Sequence, residues 1–388
     1  MRHIELGQII TPAKPRRAGE INFPVLSMTM RDGLVNQADK FKKRIASADT
    51  SQYKVVGRNQ LVVGFPIDEG VLAFQNLYDE AIVSPAYNIW NLQNDALIDS
   101  KYLEQFLRSP RALAFYKSKL RSTTARRRSL PNDVFLSLSV PVPSLAEQER
   151  IMKLLDEADT LRKLRAQADR SAAALIPALF HEMFGDPLKS SAEWEVEEIR
   201  TVCIIGDGNH SSNYPKASEM LPAGIPFIRA ANLQYGKLDI ADMRYISPDK
   251  HMKLKKGHLK SGDVLFSNRG EIGKLAIVPD EFDNSNLNSQ LAWLRPKKEI
   301  LPEYLFSLLA SDVYQTGFRR SQQGAALQQF TIKQLSAIKV PIPPLSLQQE
   351  FAQRVSEIRE LEAAQAASRQ RVEHLFQSML HRAFNQEL

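Results

Sequence analysis

The chain has 388 residues, 43% of them hydrophobic and 24% charged, the balance of a folded protein of two or three domains rather than a disordered or membrane one. No apolar run approaches the ~20 residues of a membrane helix, and the N-terminus lacks the apolar stretch of a signal peptide, so the cytoplasm is the expected compartment. A single cysteine, Cys203, excludes an internal disulfide and a cysteine-based metal site, while the net charge of +7 favours a polyanionic partner.

Residues 1–139 read as a first module. Short β-type runs, Gln60 to Gly64 and Ala81 to Ser84, are punctuated by Gly, Pro, Asn and Asp, and a helix is expected over Asp99 to Leu107. Its cations gather at Lys42, Lys43 and Arg44, at Lys117, and along Arg121, Arg126, Arg127 and Arg128. Residues 140–187 follow as a long helix. Ser144-Leu145-Ala146-Glu147 has the form of a capping box, and Gly185-Asp186-Pro187 ends the helix with a left-handed glycine and a residue that forbids continuation. Pro177 predicts a kink, because proline removes a backbone donor and crowds the preceding turn.

Residues 188–339 repeat the order of the first module. Strands are expected at Ile225 to Ile228, Asp263 to Phe266 and Lys274 to Val278, with a helix from Pro302. Residues 340–388 form a second long helix, opening near Ser346. The two helical segments are copies: Val140-Pro141-Val142-Pro143-Ser144-Leu145-Ala146-Glu147-Gln148 returns 200 residues later as Val340-Pro341-Ile342-Pro343-Pro344-Leu345-Ser346-Leu347-Gln348, and the offset holds through Leu161/Leu361, Leu175/Leu375, His181/His381 and Phe184/Phe384. In the globular parts, Tyr102 and Tyr304 correspond at an offset of 202. A period this long is a whole module present twice, not a solenoid repeat.

Each helix, about 40 residues and hence ~60 Å, carries a narrow apolar stripe that needs a partner. Antiparallel pairing of the two is expected, with Ile151, Leu154, Leu161, Leu175, Leu179, Phe351, Ile358, Leu361, Val372, Leu375 and Met379 as its core. The alternative is that each helix packs on its own module or on another chain. The fold class is therefore α/β (α+β): two similar globular domains, separated and held by two long antiparallel helices in a pseudo-twofold repeat.

Catalytic motifs are missing from the sequence. Gly270-Glu271-Ile272-Gly273-Lys274 has glycines too close for a phosphate loop, there is no dinucleotide fingerprint and no Asn-Pro-Pro-aromatic tetrapeptide, and the seven histidines form no H-E-x-x-H pattern. His181 and His381 sit near helix C-termini, where a cation complements the dipole.

The paired Val-Pro-[Val/Ile]-Pro-x-Leu-x-x-Gln segments, each opening a long helix after a globular module, resemble the DNA-specificity subunit of type I restriction–modification systems. Tyr53 to Val56 leading to Ile82 to Tyr87 looks like one version of that family's target-recognition domain. Lys260 to Gly273, with Gly-Asp-Val-Leu-x-Ser-x-Arg-Gly-x-Ile-Gly spacing, looks like another. The first half departs from the second pattern, with Arg58-Asn59-Gln60 where Gly-Asp belongs and Gly64-Phe65-Pro66 in place of the Ser-x-Arg loop. The resemblance implies a non-catalytic subunit whose two domains each read half of a split, asymmetric DNA site. The helices then set the spacer and dock two adenine methyltransferase subunits, which endonuclease/translocase subunits join. S-adenosylmethionine, ATP and Mg belong to those partners, and no metal to this chain. The rival readings are a stand-alone two-headed DNA-binding regulator and a coiled-coil scaffold. DNA contact needs Arg, Lys, Asn or Gln on loops. The second-domain candidates are Arg229, Asn232, Asn268, Arg269, Arg319, Arg320, Gln322 and Gln323, and those of the first are the eight cations named above.

Overall fold

The computed structural model describes residues 2–30, 32–40, 49–93, 96–120, 128–187, 194–209, 213–234, 236–320 and 329–385. The chain divides into two compact units, one of residues 1–166 with 367–388 and the other of residues 167–366. The division falls within each long helix, so each contributes residues to both units.

In the first unit, strand Arg2–Glu5 pairs antiparallel with Ser139–Val142 at the head of the central helix. Pro141 is tolerated there because a two-stranded ribbon leaves an edge free. A four-stranded antiparallel sheet follows in the order Ile10–Pro12, Asn88–Leu92, Gln60–Val63, Leu72–Phe74. Alternation along the third of these decides its two faces. Leu61 and Val63 join Tyr102, Leu103, Phe106 and Leu107 of helix Ser100–Leu107, whereas Val62 faces a smaller layer with Val56, Ala81 and Val83. That helix starts where the sequence indicates, with Asp99 capping the Tyr102 amide at 3.0 Å.

The second unit repeats this plan. Glu195–Glu198 pairs with Lys339–Ile342, and the sheet runs Cys203–Asp207, Leu291–Pro296, Val264–Ser267, Leu275–Ile277. Val264 and Phe266 face Tyr304, Leu305 and Leu308 of helix Pro302–Ala310, and Leu265 faces a second layer with Ile228 and Leu287. In that layer Ile225–Ile228 lies between Arg244–Ile246 and Asn286–Leu287.

The repeated motif has a physical explanation in its last residue. Gln148 is fully buried; its Oε1 accepts from the Asp99 amide at 2.8 Å, and its Nε2 donates to the carbonyls of Leu97 at 3.0 Å and Pro143 at 2.9 Å. Gln348, also fully buried, repeats this with the Leu301 amide at 2.8 Å, the Glu299 carbonyl at 3.1 Å and the Pro343 carbonyl at 2.9 Å. Tyr102 and Tyr304 donate their hydroxyls to the carbonyls of Pro141 and Pro341 at 3.0 and 2.9 Å, and burial pushes both phenols well above their ordinary range. Each domain is thereby locked to the helix that leaves it.

The central helix runs Leu145–Ala173, breaks at Ala174 and resumes as Leu175–Phe184. The interruption falls just where Pro177 would have donated to the Ala173 carbonyl. The C-terminal helix has Gln377 at the matching place and continues through Leu345–Asn385. Gly185 caps the first with φ +67°. Only half of the expected capping box is seen: the Glu147 amide reaches the Ser144 hydroxyl at 3.3 Å, while the Glu147 carboxylate lies 3.8 Å from Arg150.

Within each unit the helices run antiparallel and also enter the domain core. In the first unit, Ile151, Met152 and Leu155 share one cluster with Leu380, Ala383 and Phe384, and the Phe384 ring lies 5.6 and 5.5 Å from those of Tyr102 and Phe106. In the second, Phe184 lies 4.8 Å from Tyr304 and 5.2 Å from Phe351. Both arrangements weighed from the sequence, helix on helix and helix on module, therefore occur together.

The leucine seam needs correction. Ile151, Leu179 and Phe351 are buried, and Leu154, Ile358, Val372 and Met379 half-buried, but Leu161, Leu175, Leu361 and Leu375 are 53%, 42%, 50% and 53% exposed. From Ala158 the helical period carries the seam a four-residue step to Arg162, not a three-residue step to Leu161. Arg162 stacks over Phe376 at 4.2 Å and pairs with Glu373 at 2.9 Å. Donation from Gln377, then the Arg162 pair, holds the Glu373 carboxyl below its ordinary range.

Candidate nucleic-acid interface

In the second unit one loop carries two of the candidates, Asn268 and Arg269. Between strands Val264–Ser267 and Leu275–Ile277 the chain turns through Asn268-Arg269-Gly270-Glu271-Ile272-Gly273. Buried Ser267 fixes the turn from inside, its hydroxyl donating to the Glu271 carbonyl and accepting from the Lys274 amide at 2.8 Å. Gly270 and Gly273 take φ +74° and +94°, which side chains resist. Gln315 of helix Asp312–Arg320 donates to the Gly273 carbonyl at 3.0 Å, and Phe318 of that helix packs on Phe266 and Phe330 at 5.0 and 5.5 Å. The loop and the basic end of the helix, exposed Arg319 and Arg320, therefore belong to one neighbourhood.

Asn268 is the junction of three segments. Its amide donates to the Gln290 carbonyl at 3.0 Å and its carbonyl accepts from the Phe330 amide at 2.8 Å. Its backbone is the positioning element; its side chain is only 3% exposed, with an Oδ1 that has no partner among the described residues, and this burial corrects its expected role as a base reader. Asn232 needs the same correction. It is 2% exposed, accepts from the Arg229 amide at 3.0 Å and donates to the Asp239 carbonyl at 2.9 Å, so its amide closes a turn. Arg229 pairs with Asp242 at 2.8 Å, and this bond holds the Asp242 carboxyl below its ordinary range. Arg295 is committed to fully buried Asp263 of the Gly-Asp motif at 2.8 Å. Arg269 differs in having no ion pair among the described residues; it is half-buried, and its buried Nε, like that of Arg229, has no partner there.

Sequence reasoning overlooked Asn288 and Gln290. Asn288 accepts from the Gln290 amide at 3.1 Å and donates to its Oε1 at 3.1 Å, presenting exposed Gln290 beside Asn268. The polar run Asp283-Asn284-Ser285-Asn286-Leu287-Asn288-Ser289-Gln290 was the available signal. Gln322 and Gln323 lie outside the described residues.

The corresponding loop of the first unit is built differently. Strand Gln60–Val63 leads into Gly64-Phe65-Pro66 and a short turn, Ile67–Glu69, whose Asp68 and Glu69 both pair with Arg128, the former at 2.8 Å. The Ile67 amide donates to the Arg128 carbonyl at 3.1 Å. Arg128 is thus bound to its own domain's carboxylates. Lys117 is exposed in the last turn of helix Pro110–Lys119, a free cation position near a helix end. Lys42, Lys43, Arg44, Arg121, Arg126 and Arg127 lie outside the described residues.

Burial pushes the Cys203 thiol up to about 12, leaving it protonated and unreactive. Among the described residues, no group of three His, Cys, Asp or Glu is placed to hold a metal, and no helix is long and apolar enough to cross a membrane.

Comparison with known proteins agrees with a doubled, loop-presenting fold. Residues 191–374 match the type I restriction modification DNA specificity domain. The chain is 24% identical over 372 residues to the type I restriction enzyme MjaVIII specificity subunit of Methanocaldococcus jannaschii, covering 90% of this chain and 82% of that one. It is 31% identical over 172 residues to the EcoBI specificity subunit of Escherichia coli, covering 42% of this chain and 36% of that one. Its fold matches a chain solved in work on complex assembly and conformational transition of the type I R-M system, with TM-score 0.67, 19% identity and coverage of 100% and 98%. The type I restriction–modification system S subunit from M. genitalium gives TM-score 0.55 at 13% identity over 99% and 96%. Over residues 191–374 in sequence, and in fold over its length, the chain is similar to the specificity subunits of type I restriction–modification systems.

Proposed function

We propose that this chain reads a split, asymmetric DNA sequence, one half through each globular domain, while its paired helices set the unread spacer. The observation that carries the reading is the doubling itself. Two domains share a sheet order, a buried glutamine clamp and a tyrosine lock, yet differ in the loop each would present. Identical frames with unlike loops suit two unlike half-sites.

The same helices dock two methyltransferase subunits. Support comes from the exposed leucines, which occur as matching pairs: Leu161 with Leu375 in the first unit, Leu175 with Leu361 in the second. Exposed apolar pairs repeated once per unit favour two copies of one partner. Endonuclease/translocase subunits join that core. S-adenosylmethionine, ATP and Mg serve those partners, in the cytoplasm.

The test is co-expression with a type I adenine methyltransferase subunit from the same source, in a host without its own methyltransferases. The expected outcome is two methyltransferase copies per chain by native mass spectrometry and adenine methylation at a split, non-palindromic motif. A complex with one copy would contradict the docking scheme. Methylation at a continuous or palindromic motif would contradict the half-site reading, and the absence of any complex would favour a stand-alone DNA binder.

A further inference from the structure

We infer that Arg269 reads a guanine in the half-site of the second domain, as a specificity determinant rather than a general DNA anchor. The inference rests on the DNA-reading function proposed above and names a residue that carries it.

Three observations converge on this side chain. First, its charge is uncommitted among the described residues. Arg229 and Arg295 in the same unit hold Asp242 and Asp263, and the nearby Glu271 carboxylate pairs with Lys274. Arg269 alone of these has no ion pair among the described residues; its Nε is buried without an acceptor, as is that of Arg229, but no carboxylate there engages the rest of its guanidinium. A partly desolvated guanidinium lacking an acceptor is stabilised by a ligand that brings one.

Second, the backbone beneath it is fixed. Asn268 is tied to Gln290 and Phe330 on two sides, Ser267 bridges the turn, and Gln315 holds Gly273. A side chain at Gly273 would be strained by its φ of +94°, and its Cβ would lie 3.0 Å from Gln315 Oε1. A guanidinium on a rigid loop is pre-organised for one geometry. The planar fork matches guanine, whose major-groove edge offers two acceptors, O6 and N7. Mobile cations suit phosphates better, and Arg319 and Arg320 at their exposed helix end are of that kind.

Third, the first unit handles its corresponding loop in the opposite way. There Arg128 is bound to Asp68 and Glu69, which leaves no uncommitted guanidinium at that turn among the described residues. Guanine reading from this loop is then a property of the second half-site alone.

The experiment uses the chain complexed with its methyltransferase, and duplexes carrying the wild-type motif with each base pair of the second half changed in turn. R269A and R269K are compared with R320A in affinity, salt dependence and methylated motif. The expected result is that R269A weakens cognate binding about 10- to 100-fold and relaxes one G·C position of the second half. The first half and the slope of affinity against salt stay unchanged, and R269K, which keeps the charge without the fork, does not restore discrimination. R320A should weaken all duplexes alike and lower the salt slope by about one. If R269A behaves like R320A and R269K restores binding, the residue is a phosphate contact and the inference is overturned. An R269A complex with unaltered motif and affinity overturns it equally. R269K covers the case in which the alanine variant fails to fold. A wild-type complex with no split motif would remove the underlying reading itself, a failure distinct from these.

Discussion

At the scale of single residues, the fold depends on a few buried polar groups that leave no partner unsatisfied. Gln148 and Gln348 each engage three backbone groups from two segments. Gln148→Leu would keep the volume but strand the Asp99 amide and two carbonyls. At ~1–3 kcal/mol for each stranded group, a loss of about 3 kcal/mol or more is expected, read as a lower unfolding midpoint in calorimetry, and Gln348→Leu should match it. A loss below about 1 kcal/mol for either variant would contradict the clamp. The sequence displayed both glutamines as repeated letters, but repetition does not say what an amide bonds. The same gap explains Asn232 and Asn268. Their residue type suited base reading, and only the structure reveals the Asn232 amide consumed by a turn and the Asn268 side chain buried at a segment junction.

At the scale of elements, the long helices were legible and their seam was not. Pro177 and Gly185 stand where the central helix breaks and ends, because both act through local backbone chemistry. The seam depends on which of two neighbouring positions faces inward, and Arg162 takes it by combining an aromatic stack with an ion pair to Glu373. A hydrophobicity pattern gives such an arginine to solvent and the adjacent leucine to the core. If the helices set the spacer, a four-residue insertion at matching places in both should lengthen the pair by ~6 Å. Methylation mapping should then find the spacer longer by about one or two base pairs at ~3.4 Å each, with both half-sites retained. An altered half-site with the original spacer would remove the ruler role.

At the scale of the whole molecule, the doubling was visible in the sequence because helix-forming segments diverge without changing length. The globular parts keep the same sheet order through loops of different length, so their correspondence shows in topology more than in letters. The recognition surface was only partly legible. Cations and amides on loops could be named, but whether a given arginine is held by a carboxylate, as Arg128 and Arg229 are, depends on residues distant in sequence. The division of labour between the two domains is the central claim, and replacing residues 1–139 by the corresponding domain of a specificity subunit with a different target tests it most directly. With the methyltransferase present, sequencing of the methylated DNA should give a motif with one half exchanged, the other half intact and the spacer unchanged. A motif altered in both halves, or altered in neither by a complex that still assembles and methylates, would contradict it.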